Sequence, residues 1–575
     1  MPLFIDQVKL LGAALLNVEK PARYTGGEYG RLAKRDAALY TAICFPDLYE
    51  IGMSNHALKI IYKRMNALDG IMCDRAFAPA PDFETLLAKK NIPLYGLDTG
   101  IPLRSVDVLM FTLGYELGIT ALLAMLQSAS IPIHNEERCI SKYDTSEISV
   151  LKDDKYENGG HSEFPIVMMG GVCASNPLPY SKFIDAFWIG EAEAEFDNLM
   201  EEVRDARQKG ASRSDLLKII RAHPCVWYAG KPVNERGFAA ERAVYTDFGT
   251  EAGAAVFPVP SLRVVQQHGY VEIMRGCPGG CRFCHAGIWY RPARQKDAAH
   301  IYTDVEEYVH KGGFREISLS SLSSADYNGI DSLIYQLNDI YKNQYISFQL
   351  PSLHVSTFSL PLLEQIAKVR KSGLTFAVET PLEHRQFALN KTAALENIAA
   401  ILTESKKRGW KGAKLYFMVG LPAAADGADY DEAAEIVNFV KELARRTRMK
   451  FVVNVGIFVP KPHTPFEREG QPEESGGAVK SIAAALRPLG HKVNCANALV
   501  SRVEGLLSRG GAEVGDVIEA AFRAGSRLDA WSDQFRFDIW EGLENEYAPL
   551  FAATLGAKTA DAPLPWDVID SGVHP

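Results

Sequence analysis

The feature that most constrains this 575-residue chain is the segment RGCPGGCRFC at residues 275–284. It holds three of the nine cysteines: Cys277, Cys281 and Cys284. Three thiolates can bind an iron–sulfur cluster, and a 4Fe–4S cube held by only three ligands keeps an open coordination position on its fourth iron. The proline and two glycines suit a tight loop, because glycine tolerates positive φ and proline fixes φ.

The same cysteines could instead be three ordinary thiols or part of a zinc knuckle. Zinc knuckles usually pair two CxxC elements, or one CxxC element with a pair of histidines. The chain has no second CxxC element, and only His285 lies directly beside the loop. The spacing therefore favours an iron–sulfur cluster.

Composition and charge restrict the class of protein. The 47% hydrophobic and 23% charged residues are typical of a soluble globular protein, and the length predicts about two to four domains. A formal net charge of −9 argues against broad nucleic-acid binding through a basic surface. It does not exclude a local basic groove. No apolar run is long enough to span a membrane, and the N-terminus does not resemble a signal peptide. The six remaining cysteines are not spaced like those of a disulfide framework, so we expect reduced thiols and a cytoplasmic location. Because no segment is predicted to span a membrane, we expect no membrane partner.

Apolar runs alternating with helical patterns predict two parallel α/β units. In such units the strands form a covered sheet, and ligands bind at the carboxyl ends of the strands. Strands are predicted in the first unit at 38–45, 106–113, 165–171 and 186–190. Six strands are predicted in the second unit at 269–274, 316–324, 345–350, 374–379, 413–422 and 451–460, with helices between them, for example at 304–311, 361–371 and 431–446. The second unit is therefore an open relative of the (β/α) barrel, with the cysteine loop at the carboxyl end of its first strand. Helical patterns follow at 477–487, 500–508, 515–524 and 529–547, and we expect their aromatic residues to pack on the open side of the barrel.

The CxxxCxxC spacing, with the aromatic Phe283 before the last cysteine, resembles the signature of the radical S-adenosylmethionine (radical SAM) superfamily. The resemblance implies that Cys277, Cys281 and Cys284 are catalytic and bind a 4Fe–4S cluster, whose open iron binds the amino and carboxylate groups of SAM. An electron from an external flavodoxin- or ferredoxin-type donor would cleave SAM to methionine and a 5′-deoxyadenosyl radical. The radical would then act on a substrate that the sequence does not identify.

The same resemblance implies further contacts to SAM at the ends of later strands. A hydroxyl-rich loop stands where the family often has a Gly-Gly-Glu-like loop for the methionine amine, so Ser320, Ser321 and Ser323 are candidates. Glu379 ends the fourth strand, where the family places contacts to the ribose or the amino-acid part. The contacts expected near the nucleoside are Phe283, Gly420, Pro422 and Val459. Each of these residues could instead serve ordinary turn geometry.

The first unit resembles the flavodoxin-like cobalamin-binding domain found in one class of these enzymes. Many such domains carry Asp-x-His-x-x-Gly after the first strand, and the histidine binds cobalt; here residues 47–52 read DLYEIG, with Tyr49 at the histidine position. Either cobalamin binds without a protein ligand to cobalt, or the domain keeps the shape and binds none. His56 is a substitute ligand or an ordinary helix residue. Gly170-Gly171 and Gly190-Glu191 match the family's strand-end loops, although any doubly wound sheet needs tight turns there.

Basic residues near the cysteine loop are a further candidate group. Arg275, Arg291 and Arg294 could neutralise thiolate charge or bind an anionic substrate, and a surface ion pair is the alternative for Arg291 and Arg294. By resemblance, Lys391 is expected to face the substrate.

The whole arrangement resembles an uncharacterised radical SAM family with a cobalamin-domain-like N-terminal region. The predicted fold is α/β, and its parts are a lead-in (1–38), a flavodoxin-like doubly wound domain (39–209), a connecting segment (210–262), an open (β/α)6 radical SAM barrel (263–470) and a mainly helical C-terminal region with a tail (471–575). The predicted function is SAM cleavage with cobalamin-dependent methyl transfer or a related modification. The alternatives are a methylthiotransferase-like RNA-modifying enzyme without cobalamin, and a non-enzymatic electron carrier or regulator, which is disfavoured because carriers need every iron capped.

Overall fold

The N-terminal domain is built on a six-stranded sheet. The computed structural model describes residues 4–139, 164–250, 257–351, 373–422, 431–473 and 475–573. The strands are β1 (Leu39–Phe45), β2 (Ile71–Phe77), β3 (Val108–Thr112), β4 (Ile166–Gly170), β5 (Ala186–Trp188) and β6 (Val226–Trp227). Their order is β2-β1-β3-β4-β5-β6, and only β6 is antiparallel to its neighbour. The order 2-1-3-4-5 is that of flavodoxin-like sheets, which confirms the predicted fold of this domain.

Helices connect these strands, as the alternating pattern predicts. They are Tyr49–Gly52, His56–Ala67, Pro81–Lys90, Ile119–Ser128, Phe196–Gln208 and Arg213–Ala222, preceded by a short helix at Gln7–Leu11. The helix His56–Ala67 begins where Asn55 accepts a hydrogen bond from the amide of Leu58, as an N-cap residue does.

Strand β2 was not predicted from the sequence, because a charged pair interrupts its apolar run. Asp74 and Arg75 are both fully buried within it. The Arg75 guanidinium donates to Asp98 at 2.6 Å and to Glu28 at 3.2 Å, so its charge is compensated inside the domain. Because these charges are paired inside the domain, β2 is a core strand although its sequence contains charged residues.

The barrel region contains all six predicted strands in two parallel sheets. One sheet has the order β9-β8-β7 and the other has the order β10-β11-β12-β13. The strands are β7 (Gly269–Glu272), β8 (Glu316–Ser320), β9 (Ser347–Gln349), β10 (Leu374–Glu379), β11 (Gly412–Val419), β12 (Lys450–Ile457) and β13 (Lys492–Cys495). The helices are His285–Trp289, Ala298–His310, Ile330–Ile340, Glu383–Ala388, Leu395–Lys407, Glu432–Thr447 and Ser475–Leu486. The helix predicted at 361–371 lies outside the described residues.

Strand β13 was also missed, since its sequence KVNC is short and mostly polar. It pairs in parallel with β12 and lies within the region that the sequence assigned to helices. Of its four residues only Val493 is buried, which leaves almost no apolar pattern to detect.

Within the C-terminal region, the helices from Ala498 onward pack mainly against the N-terminal domain, which corrects the expectation that they cover the open side of the barrel. Val503, Ile518 and Trp540 belong to the same hydrophobic core as the N-terminal sheet. Trp531 Nε1 also donates a hydrogen bond to Asp47 Oδ1 at 2.7 Å. The helices of this region are Ala498–Arg509, Val514–Ala524, Phe537–Glu546 and Ala548–Leu555. Among the described helices, none combines the length and the apolar character that crossing a bilayer requires.

Candidate functional site

The cysteine loop leaves the carboxyl end of β7 and is held by hydrogen bonds at both ends of its sequence. Cys277 Sγ accepts from the amide of Gly279 at 3.4 Å, and Cys284 Sγ caps the following helix by accepting from the amide of Gly287 at 3.3 Å. Asn390 Nδ2 donates to the Gly280 carbonyl at 3.1 Å. The segment after the fourth barrel strand therefore fixes the middle of the loop.

All three cysteines line one cavity of about 1000 Å³, which we call the cluster cavity. Each cysteine is partly exposed, and burial raises the pKa of the Cys277 and Cys281 thiols. No three His, Cys, Asp or Glu side chains of the described residues are arranged to hold a single metal ion. A 4Fe–4S cube does not need three side chains around a single metal ion, because each cysteine binds a different iron of the cube. Three thiols facing one large cavity fit a cluster with one open iron.

Three predicted cofactor contacts also line the cluster cavity: Phe283, Ser323 and Glu379. Glu379 Oε1 pairs with Lys391 Nζ at 2.6 Å, and both side chains are 11% exposed. Lys391 Nζ also lies 5.6 Å from the centre of the Phe283 ring. The cavity thus presents a cation, a carboxylate and an aromatic face close together.

Asp326 is a residue of this wall that the sequence reasoning missed. Its Oδ2 accepts a hydrogen bond from Ser323 Oγ at 2.6 Å, and the carboxylate lines the cluster cavity. Asp326 follows the serine-rich loop by two residues, so its closeness to that loop in sequence was a usable signal.

The other predicted cofactor contacts lie elsewhere. Ser320 is buried and shares a hydrogen bond with Ser318 at 2.8 Å, and Ser321 lines a neighbouring cavity. The amide of Gly420 donates to Glu432, and a Cβ on this glycine would collide with Pro472. Ser320, Gly420, Pro422 and Val459 are not among the described residues that line the cluster cavity.

A second cavity, of about 470 Å³, lies between the N-terminal domain and the barrel; we call it the interdomain cavity. It is at the carboxyl ends of β3, β4 and β5, the edge where doubly wound sheets bind ligands. Leu322 lines both cavities, so they adjoin at this residue. The apolar wall includes Met110, Met168, Met169, Trp188 and Phe196, and the polar wall includes His56, Glu191, Glu193, Glu272 and Arg275.

Tyr49 is turned away from the interdomain cavity. Its side chain is 1% exposed, and its hydroxyl donates to Glu28 Oε1 at 3.0 Å and accepts from the amide of Ser261 at 3.2 Å. Burial raises the pKa of this phenol above its ordinary value. Tyr49 therefore does not replace the missing histidine as a metal ligand.

His56 does line the interdomain cavity, where its side chain is half-buried. Its Nε2 lies 3.5 Å from Glu272 Oε2, and its Nδ1 is buried without a hydrogen-bond partner. Burial alone would raise the pKa of Glu272, but Arg275 and His56 lower it below its ordinary value. The pair is a half-buried contact between the two domains.

Gly190 permits a close approach of the protein's own backbone. Its φ is +107°, and a Cβ there would lie 2.3 Å from the Ala243 carbonyl oxygen. A Cβ on Gly170, in contrast, would meet nothing nearer than 3.7 Å, and this residue lines the interdomain cavity. Of the two, Gly170 has room beside it for a ligand.

The arginines near the cysteine loop have different partners. Arg275 and Arg294 form buried ion pairs with Glu191, at 2.9 Å and 2.7 Å. Arg291 Nη2 donates to the Gly279 carbonyl at 3.3 Å and so contacts the loop itself. For Arg294 the alternative of a surface ion pair is wrong, because its partner Glu191 is buried in the domain interface.

Comparison with known proteins identifies the family. The model of the radical SAM superfamily matches residues 271–447, and the model of radical SAM proteins, N-terminal, matches residues 57–228. Together the matches span more than half of the chain. The chain belongs to the radical SAM superfamily. It is therefore an enzyme of this superfamily, with a 4Fe–4S cluster and SAM as its cofactors.

Individual proteins are also similar to this chain. The uncharacterised protein MJ0966 of Methanocaldococcus jannaschii is 27% identical over 370 residues, which is 63% of this chain and 74% of that protein. Two structures of the radical SAM methyltransferase TsrM from Kitasatospora setae share the fold. One, with cobalamin and a [4Fe–4S] cluster bound, has a TM-score of 0.50 at 12% identity and covers 84% of this chain and 99% of TsrM. The other, with tryptophan substrate and a SAM analog bound, has a TM-score of 0.51 at 11% identity and covers 89% of this chain and 99% of TsrM.

Proposed function

We propose that this radical SAM enzyme reductively cleaves SAM to a 5′-deoxyadenosyl radical and uses the radical to modify a bound substrate. The observation that carries the proposal is that Cys277, Cys281 and Cys284 line one cavity together with the Glu379–Lys391 pair and Phe283. The electron would come from an external donor of the flavodoxin or ferredoxin type.

The residues of the cluster cavity have chemistry that suits SAM. Lys391 can bind a carboxylate, while Glu379 and Asp326 can accept hydrogen bonds from an amine. The Phe283 ring offers an adenine base a face to stack on. The remaining proposed contacts are Ser320, Ser321, Ser323, Gly420, Pro422 and Val459, of which Ser323 lines the cavity.

We further propose that the interdomain cavity binds a corrinoid, which would supply a methyl carrier for transfer to the substrate or a related modification. Three observations support this: the cavity lies at the carboxyl ends of a flavodoxin-like sheet, it has an apolar wall, and it adjoins the cluster cavity at Leu322. TsrM, which shares the fold over most of the chain, binds cobalamin and a cluster. Since Tyr49 and His56 have other partners, the corrinoid would be held by its ring and side chains rather than by an imidazole on cobalt.

Anaerobic reconstitution tests the cluster part of the proposal. We expect about four irons and four sulfides per chain, and an electron paramagnetic resonance (EPR) signal of the reduced protein that changes when SAM binds the open iron. Cys281→Ala should lose both, whereas Cys495→Ala, an exposed cysteine far from the loop in sequence, should keep both. Tightly bound zinc without iron–sulfur absorbance, or an EPR signal indifferent to SAM, would contradict the proposal.

Equilibrium dialysis of the full-length protein with hydroxocobalamin tests the corrinoid part. We expect binding of about one molecule per chain, weakened about tenfold or more by Gly170→Leu, whose side chain would project into the interdomain cavity. Gly542→Leu, at a helix position with open space around it, is the matched control. If the wild-type protein bound no hydroxocobalamin, the corrinoid proposal would be contradicted, and the proposal for the cluster would be unaffected.

A further inference from the structure

We infer that Arg275 is a positioning residue of the radical site: it fixes the start of the cluster loop to the N-terminal domain through Glu191 and Glu193. The inference rests on the proposed role of Cys277 as a cluster ligand, two residues after Arg275. It makes the N-terminal domain a part of the radical site as well as a wall of the interdomain cavity.

Every nitrogen of the Arg275 guanidinium has a carboxylate partner. Nη1 donates to Glu191 Oε2 at 2.9 Å and Nη2 donates to Glu193 Oε1 at 2.8 Å, both in the N-terminal domain. Nε and Nη2 donate to Glu272 of β7 at 3.1 Å and 2.8 Å. The side chain is 9% exposed and lies 4.8 Å from the centre of the Phe248 ring. With all these contacts the guanidinium has a single orientation.

The neighbouring strand is tied to the same carboxylate. Met274–Arg275 forms a short antiparallel ribbon with Arg294–Gln295, in which Arg294 is opposite Arg275. Arg294 donates to both oxygens of Glu191, at 2.9 Å and 2.7 Å. Glu191 therefore holds both strands of the ribbon from which the cluster loop departs.

The acidic segment Glu191–Glu193 begins three residues after the end of β5, and the amide of Glu191 donates to the Ala243 carbonyl at 3.0 Å, so the segment is held close to the N-terminal sheet. The close contact of Gly190 with Ala243 sets the path of the chain immediately before it. A rigid sheet edge, two carboxylates and the ribbon thus form a continuous connection to Gly276, where the cluster loop begins. A displacement of the Arg275 backbone would move Gly276 and, one residue later, Cys277.

Buried ion pairs of this kind contribute orientation more than net stability, because desolvation offsets most of their Coulomb energy. The planar fork of arginine can bind three carboxylates at once, and the ammonium of lysine cannot reproduce that geometry. A displacement of about 1 Å in a reacting group can lower a rate by about 100-fold. The arrangement is therefore suited to hold a cluster ligand in place.

The test uses full-length, reconstituted protein carrying Arg275→Lys or Glu191→Gln. We expect each variant to bind iron as the wild type does, to show an altered EPR signal in the presence of SAM, and to form 5′-deoxyadenosine at least about tenfold more slowly. The loss of cleavage rate in the double variant, expressed as a free energy, should be smaller than the sum of the losses in the two single variants, because both changes break the same contact.

Glu504→Gln is the matched control, since it removes a carboxylate from a different ion pair between parts of the molecule, with Lys461 at 2.8 Å. It should leave the EPR signal and the cleavage rate unchanged. Should Arg275→Lys fail to fold, Glu193→Ala, which removes a single hydrogen-bond partner, gives the same readouts. A wild-type signal and rate in Arg275→Lys, or in Glu193→Ala where only that variant folds, would overturn the inference. Failure of the wild-type protein to cleave SAM would instead overturn the proposed function.

Discussion

Single buried residues show how the flavodoxin-like N-terminal domain is packed at the position where many cobalamin-binding domains have a histidine. The position of that histidine is occupied by Tyr49, whose hydroxyl joins Glu28 to the backbone of Ser261. Glu28 also accepts from Arg75, and Asp47 accepts from Trp531 of the C-terminal region. The residues of the motif therefore serve the packing of the domain in this protein.

Tyr49→Phe should lower the free energy of unfolding by about 1–3 kcal/mol, because the buried Glu28 carboxylate and the amide of Ser261 each lose a hydrogen-bond partner. Thermal unfolding of the variant measures the loss. Tyr345→Phe is the control, since Tyr345 is 81% exposed and should be nearly neutral. Equal stability of the two variants would show that the Tyr49 hydroxyl has no structural role.

His463 predicts a pH dependence of stability. Burial lowers the pKa of His463 to about 4, and its Nε2 lies 3.0 Å from the Ser175 carbonyl oxygen. The unfolded chain, with an ordinary histidine pKa of about 6.5, binds more protons between these two values, so stability is complete above about pH 6.5 and is lost as the pH falls towards 4. His463 should account for a loss of about 2 kcal/mol at about pH 5.

His463→Gln should remove this part of the dependence, because glutamine can donate to Ser175 but does not titrate. The measurement is the difference in melting temperature between about pH 7.5 and about pH 5. The difference should be smaller in the variant than in the wild type. An identical difference would mean that His463 does not titrate on unfolding as its burial requires.

At the scale of elements, the cluster loop depends on the segments that it contacts. Gly276 begins the loop with a φ of +79°, and a Cβ there would lie 2.5 Å from the Tyr290 carbonyl oxygen. Farther along, the amide of Arg282 donates to the Leu389 carbonyl at 3.0 Å. The loop therefore takes its shape from the helix that follows it and from the segment after β10.

Gly276→Ala should reduce the iron bound after reconstitution, because the added methyl group collides with backbone that cannot move aside and the positive φ costs a further 1–2 kcal/mol or so. Iron per chain measures the effect. Gly542→Ala, in a helix with nothing near the added Cβ, should bind iron normally and be neutral or slightly stabilised. Normal iron content in Gly276→Ala would contradict this geometry of the loop.

Elements with a continuous apolar pattern could be predicted from the sequence, and elements whose polar groups are paired in three dimensions could not. Strands β1, β3 and β11 follow their apolar runs, whereas β2 is obscured by Asp74 and Arg75. The cysteine loop was predictable because its ligands are close in sequence. The partners of Arg275 in the N-terminal domain were not, because those contacts join segments distant in the chain.

At the scale of the whole molecule, the C-terminal region and the N-terminal domain share one hydrophobic core, while the barrel has cores of its own. Helix Val514–Ala524 packs against helix Ile119–Ser128 of the N-terminal domain. Asn176 also donates to the carbonyls of Ser508 and Gly510, both at 3.0 Å. The two ends of the chain should therefore unfold together.

Ile518→Ala tests this shared core, because Ile518 is fully buried in it. We expect a loss of about 2–5 kcal/mol, the usual cost of such a cavity. Hydrogen exchange should show faster exchange in β3 and β4 as well as in the C-terminal helices, with β11 and β12 unaffected. Loss of protection confined to residues 498–555 would contradict a common folding unit.

The most direct test of the central claim is the formation of 5′-deoxyadenosine by the anaerobically reconstituted, chemically reduced protein supplied with SAM, followed by liquid chromatography and mass spectrometry. The structure predicts that the wild-type protein and Cys495→Ala form it and that Cys281→Ala does not. A wild-type protein with a complete cluster that forms none, or equal formation by Cys281→Ala, would contradict the account.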